Sequence, residues 1–153
     1  MNIETKLKDL GIELPSAPTP AGSYVPAVTA GNMVFVSGQL PMVNGELKYT
    51  GKVGKDLSLE EASQGAKICA INALAVLKAH LGSLDKIEQI VRLGGFVNSS
   101  DGFTMQPKVI NGASDFMAEV FGEAGKHARA AVGVNELPLN AAVEVEMTVL
   151  LKA

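Results

Sequence analysis

The hydrophobic positions change period several times along the chain, and those changes mark out its elements. Ile3, Leu7 and Leu10 fall on one side of a short amphipathic helix over residues 3–10. Pro15, Pro18 and Pro20 then forbid regular structure up to Gly22. Apolar runs at 24–30 and 33–38 flank Gly31-Asn32, the pattern of a β-hairpin. Residues 44–54 carry Asn44, Gly45, Gly51 and Gly54 and read as a loop with at most a short strand. Ser58 stands three residues ahead of Glu61, a capping box. Behind it Ala62, Ala66, Ala70, Ala73, Leu74, Leu77 and Leu81 recur at helical spacing until Gly82 stops the helix.

A β-branched run from Ile87 to Val97 predicts a strand, and Gly94-Gly95 within it predicts a bulge or a close backbone approach. Residues 98–102 form a turn. A second helix runs from Gln106 or Pro107 to Phe121, with Val109, Ile110, Ala113, Phe116, Met117 and Val120 on one face, and Gly122 and Gly125 end it. Two strands close the chain, 129–135 and 141–151, with a turn at 137–140 between them. In the last strand Val143, Val145, Met147, Val149 and Leu151 face one way and Glu144, Glu146, Thr148 and Leu150 the other. The order is strand, strand, helix, strand, helix, strand, strand. It predicts an α+β domain, one mixed β-sheet with two helices on one face. Residues 1–20 read as an N-terminal arm and 21–153 as a single domain. A sheet covered on one side leaves the side with Thr148 and Leu150 to be buried by copies of the chain, so a closed homo-oligomer is expected.

Composition narrows the function classes. The 153 residues are 47% hydrophobic and 19% charged, the balance of one globular domain. A net charge of −3 and the lack of a Lys/Arg run argue against a nucleic-acid partner. The single cysteine rules out an internal disulfide and a cysteine-based zinc site, and His80 and His127 lack metal-ligand spacing. No metal or cofactor is expected. No run approaches the ~20 apolar residues of a membrane span. The opening Met1–Lys6 has an early acid and no apolar stretch, so it is not read as a signal peptide, and the expected compartment is the cytoplasm. Asn98-Ser99-Ser100 matches a glycosylation acceptor but reads as loop chemistry.

Several residues are candidates for chemistry. Gly122–His127 has neither the spacing nor the Ser/Thr of a phosphate loop and follows a helix instead of opening one. Cys69, among Ile68, Ala70 and Ile71, reads as a buried inert thiol. Ser37 before Gly38 lacks a nucleophile-elbow pattern and reads as a strand-end serine whose neighbouring backbone could line a cleft. Arg129 opens a strand of small and apolar residues and needs an anionic partner there. That partner is either an internal acid such as Glu144 or Glu146, or the carboxylate of a ligand held bidentately. Glu144 and Glu146 are either a solvated sheet face or supply a partly buried carboxylate beside Arg129, able to hold or deprotonate a water. Tyr24 and Asn111 are ordinary in isolation.

Together these segments resemble the Rid/YjgF/UK114 family of reactive-intermediate deaminases, also called the endoribonuclease L-PSP family. The matching pieces are Gly22-Ser23-Tyr24, the run Gly31–Pro41, Asn111 ahead of Phe116, Ala128-Arg129 followed by Val132, and Glu136-Leu137-Pro138 running into Val143–Glu146. They cover the chain from about residue 21 onward, and the arm suits a longer YjgF-like subgroup. The resemblance implies a chorismate-mutase-like fold and a homotrimer with clefts between subunits. It implies that Arg129 binds the carboxylate of a small substrate and that Glu144 positions the attacking water. Ser37 and Gly38 would lie beside the ligand, and Tyr24 and Asn111 would come from the adjoining subunit. The implied reaction is hydrolytic deamination of 2-imino or enamine acids to 2-oxo acids and ammonia. The alternatives are a non-catalytic carboxylate-binding, metabolite-sensing module and, last, an endoribonuclease. Family members often carry a cysteine two residues after the arginine; here that position is Ala131.

Overall fold

In the computed structural model, which describes residues 2–20 and 22–153, helix α1 (Ile3–Asp9) opens the chain. Asn2 caps it, its side-chain oxygen accepting from the Thr5 N–H at 2.7 Å. Leu7 is 2% exposed and belongs to the main core. Strands β1 (Ala27–Ala30) and β2 (Met33–Gln39) form the predicted hairpin, with Ala30 opposite Met33. The following loop contains a two-stranded ribbon, β3 (Met42–Val43) and β4 (Glu46–Leu47).

Helix α2 (Leu59–Leu81) carries the predicted capping box: Glu61 N–H donates to Ser58 Oγ at 3.1 Å, and Ser58 N–H donates to the Glu61 carboxylate at 3.0 Å. Strand β5 (Ile87–Asn98), helix α3 (Gln106–Phe121) and strand β6 (Ala128–Val134) follow as a β-α-β unit, which is why β5 and β6 are parallel. Strand β7 (Val143–Leu151) completes a five-stranded mixed sheet of order β1-β2-β7-β5-β6.

Residues 137–140 form the turn between the last two strands, but those strands are not paired: β7 pairs with β5 and β2, not with β6. The return through α3 puts β6 on the outer edge of β5, so the chain must cross the end of β5 to reach the other side of it.

Helices α2 and α3 both pack on the sheet face formed by Val34, Val36, Leu93, Val143, Val145, Met147 and Val149, all at most 4% exposed. Each such side chain adds roughly 1.5–3 kcal/mol of burial. The Gly94-Gly95 pair marks a close approach, not a bulge. The register shifts of β5 fall earlier, between Ile87 and Gln89 and between Ile90 and Arg92. A Cβ on Gly95 would meet Ile110 Cδ1 at 2.6 Å, so the glycine lets α3 lie against the strand. The opposite sheet face has no helix. Val28 and Phe35, paired across β1 and β2, are about half exposed, and Thr148 and Leu150 are partly so. Among the described residues no helix is long and apolar enough to cross a membrane.

Candidate functional site

Glu144 projects from β7 onto the open sheet face, and the neighbouring strand is shaped to accommodate it. The pairing of β2 with β7 is irregular between Val36 and Gln39, which brings Gly38 beside Glu144. A Cβ on Gly38 would lie 2.9 Å from Glu144 Cδ and 3.2 Å from Cγ, so only glycine leaves the carboxylate its place. On the other side, Gly94 does the same for Glu146, whose Cγ would sit 2.7 Å from an added Cβ. Burial pushes the Glu144 carboxyl above its ordinary range, and the negative charge of Glu146 pushes it the same way. A cleft of about 730 Å³ lies beside these groups, lined by Tyr24, Ser37, Gly38, Leu139, Glu144 and Glu146 among others.

Ser37 serves as a brace. Its hydroxyl donates to the Val25 carbonyl at 2.7 Å and its N–H to the Pro26 carbonyl at 2.9 Å, fixing the segment that carries Tyr24. Leu139 forms part of the cleft wall from a left-handed backbone conformation, φ 58° and ψ 20°, and Asn140 follows at φ 60°. Such conformations cost a non-glycine residue about 1–3 kcal/mol and persist where surrounding bonds enforce them. Here Asn98, itself buried, donates to Asn140 Oδ1 at 3.2 Å and to the Ala141 carbonyl at 3.1 Å.

Arg129 lies at the other end of the sheet. It is half-buried on edge strand β6, opposite Leu93, and so faces the helix layer. Its Nη1 donates to Asn111 Oδ1 at 2.8 Å and to Ser114 Oγ at 3.1 Å. Asn111 and Ser114 are one turn apart on α3 and present together to the strand. Behind them His127 Nδ1 is 2.6 Å from the Gly125 carbonyl and Nε2 is 2.9 Å from Ser114 Oγ. A carbonyl only accepts, so Nδ1 carries the proton. In the neutral ring Nε2 then accepts the Ser114 hydroxyl hydrogen, which turns the Oγ lone pairs toward Arg129. Both anchors of Arg129 are neutral, and no ion pair among the described residues includes it. The guanidinium is oriented without being neutralised, with most of its five-donor fork beyond Nη1.

The predicted site residues therefore fall into two groups. Tyr24, Ser37, Gly38 and Glu144 share the cleft, whereas Asn111 and Arg129 share the β6 edge. Within the chain, Tyr24 thus lies with Glu144 and Asn111 with Arg129. The internal ion pair weighed for Arg129 is absent among the described residues. Strand β5 separates β6 from β7, and Glu144, opposite Phe96, points to the face away from the helices. Glu146 instead has Arg92 at 3.9 Å. Cys69 is fully buried, and burial pushes its thiol well up, as expected of an inert core residue. Among the described residues no cluster of His, Cys, Asp and Glu could hold a metal. Sequence reasoning missed Ser114, His127 and Leu139. The available signals were Ser114 three residues after Asn111, His127 two before Arg129, and Leu139 directly after Pro138.

The profile described as "YjgF/chorismate_mutase-like, putative endoribonuclease" matches residues 4–151. Protein TCP17 of Trypanosoma cruzi is 46% identical over 148 residues, covering 96% of this chain and 92% of that protein. A 2-iminobutanoate/2-iminopropanoate deaminase of Dermatophagoides farinae is 35% identical over 142 residues, covering 92% of this chain and 95% of that one. The crystal structure of Atu1372 from Agrobacterium tumefaciens, a protein of unknown function, superposes with a TM-score of 0.92 at 48% identity, covering 98% of this chain and 92% of that one. With its length matched almost end to end, and relatives well above 30% identity, the chain belongs to the YjgF/RutC (Rid) family.

Proposed function

We propose that this protein hydrolyses reactive 2-imino or enamine acids to 2-oxo acids and ammonia, at a site that two copies of the chain complete. The observation that carries the proposal is the raised, half-buried Glu144 carboxylate facing an open cleft. An oriented but uncompensated Arg129 on an edge strand supplies the matching half. A 2-imino acid has a carboxylate next to an electrophilic C=N carbon. The Arg129 fork grips the carboxylate; it stays protonated and cannot serve as base. Glu144 accepts a proton from a water whose oxygen bonds to the carbon of the protonated imine, giving a carbinolamine. Return of that proton to nitrogen makes an ammonium leaving group; as the C–N bond breaks the hydroxyl proton passes back to Glu144, ammonia leaves, and the carbonyl of the 2-oxo acid remains. Imines hydrolyse unaided, so orientation and one acid–base group suffice.

Because Arg129 and Glu144 lie on different strands and opposite sheet faces of one chain, the reading requires a second copy. A homotrimer that joins the β6 edge of one subunit to the cleft of the next satisfies it. Such an assembly also covers Val28, Phe35 and Val132, each 45–50% exposed. The test is ammonia and 2-oxo acid release from freshly generated 2-iminopropanoate. Wild type accelerates it, Arg129→Ala loses on the order of 100-fold in kcat/KM, and Glu144→Gln loses ~10²–10⁴-fold. A wild-type rate equal to buffer overturns the proposal.

A second reading, a carboxylate-binding module without turnover, rests on the Arg129 anchors alone. It predicts saturable binding of 2-oxo acids by a wild type that catalyses nothing. Ribonuclease activity stands last. The chain is acidic overall, and both histidines are hydrogen-bonded within the chain, His80 with Thr29 Oγ1 at 2.7 Å and His127 with the Gly125 carbonyl and Ser114.

A further inference from the structure

The Glu144 cleft opens beside a second, narrower cavity of about 140 Å³ that belongs to none of the chemistry above. The two share Tyr24, Gly38, Leu40 and Leu139 in their walls. Their characters differ. The cleft holds two glutamates, whereas the smaller cavity has no Asp, Glu, Lys or Arg in its lining. It is walled by Met42 and by Pro18, Thr19 and Pro20 of the N-terminal arm. Pro18 and Pro20 each fix φ, which restricts the backbone of that wall. The one long amide in the lining, Gln39, already donates to the Ser37 carbonyl at 2.9 Å. In size the cavity matches the ~150 Å³ apolar cavities that accept a benzene molecule.

Leu139 is the second observation. It is 74% exposed, the most exposed large hydrophobic among the described residues, and is held in a left-handed conformation on the boundary between the two spaces. An apolar side chain kept at the mouth of an apolar cavity by a strained backbone is placed to close over something apolar.

We propose that this cavity is a side-chain subsite. It takes the apolar side chain, of isobutyl or benzyl size, of a 2-imino or 2-oxo acid whose reacting end lies in the Glu144 cleft. The arm thereby selects larger apolar acids over methyl-bearing ones. This rests on the deaminase or carboxylate-binding reading of the cleft. One extra group in a fitted apolar pocket is worth ~10- to 200-fold in discrimination.

The experiment compares 2-iminopropanoate with 2-imino-4-methylpentanoate as substrates of the full chain. In parallel, calorimetry measures binding of the stable acids pyruvate and 4-methyl-2-oxopentanoate. The expected result is at least a tenfold preference for the isobutyl compound in kcat/KM or in affinity. Thr19→Trp, which fills the cavity, brings that ratio close to one. So does Leu139→Asn, which tolerates the left-handed backbone but removes the apolar wall, and its thermal stability equals or exceeds that of wild type. Equal handling of methyl and isobutyl compounds by wild type overturns the subsite while leaving the parent reading intact. So does a ratio that neither variant changes. Absence of both turnover and binding for every acid overturns the subsite and the parent reading together.

Discussion

A carboxylate that must take a proton from water near neutral pH gains from being a stronger base than an exposed glutamate, and Glu144 gains that strength from burial first and from Glu146 second. The sign of the resulting pH dependence follows. Glu144 works only when ionised, so kcat/KM falls as pH drops through its raised pKa. Glu146→Gln removes the like charge, lets the Glu144 pKa fall, and moves the acid limb of the kcat/KM profile to lower pH while burial keeps part of the shift. An unmoved limb would assign the profile to another group. Arg129 is governed by its anchors. Ser114→Ala removes one of two hydrogen bonds to Nη1 and the link to His127. A net hydrogen bond is worth about 0.5–1.5 kcal/mol. The expected outcome is a KM rise of about 2- to 12-fold on that scale, with a smaller change in kcat, because the grip on the carboxylate loosens while Glu144 is untouched. Steady-state kinetics separates the two. Arg129 and Glu144 could be singled out in the sequence because a charge among apolar neighbours is conspicuous. Ser114 and His127 had only their spacing to Asn111 and Arg129 to mark them, and that spacing gains meaning once a helix and a strand are brought side by side.

Among the elements, α1 shows how a short helix is held. Seven residues cannot sustain a helix alone. Glu4 secures it by accepting from the Leu84 N–H at 2.8 Å and from Lys78 Nζ at 3.0 Å, and Ile3 N–H donates to Asp85 at 2.7 Å. Partial burial raises the Glu4 pKa, but the Leu84 and Lys78 bonds outweigh it and hold the group below its ordinary value of 4.5. A depressed folded-state pKa contributes stability above the unfolded value, lost as pH falls through the folded one. Glu4→Ala should therefore cost about 1–2 kcal/mol at pH 7. In urea denaturation the gap from wild type narrows below pH 4.5. An equal gap at pH 7 and pH 3 would mean that packing, not the charge, holds the arm. The helices and strands themselves were legible from period and caps: the Ser58–Glu61 box, the Gly82 stop and the strict alternation from Val143 to Leu151 are local chemistry. The placement of the last two strands was not, since closeness in sequence does not say that β5 lies between them.

At the scale of the whole molecule, the separation of Arg129 from Glu144 has a direct consequence. If each site takes its arginine from one subunit and its glutamate from another, two inactive variants complement each other. Arg129→Ala and Glu144→Gln proteins, unfolded together and refolded at equal amounts, should recover about a quarter of wild-type activity by random pairing. No recovery, with mixed oligomers verified by mass, would place the whole site within one chain. Phe35→Glu puts a charge on the open face beside Val28. It should yield a folded monomer without deaminase activity, read by sedimentation and circular dichroism.

The sequence by itself determined the α+β class, the helices and strands, the face each strand turns to the core, and the residue types able to handle a carboxylate and a water. All of these depend on near neighbours, through side-chain period, capping and turn chemistry. The tertiary structure alone decided that β5 separates β6 from β7, that Arg129 is anchored by Asn111 and Ser114 instead of an internal acid, and that Leu139 and the proline arm enclose an apolar space beside Glu144. The reason is physical: strand order and cavity walls are set by which distant segments bury one another, and no local pattern in the chain encodes that choice.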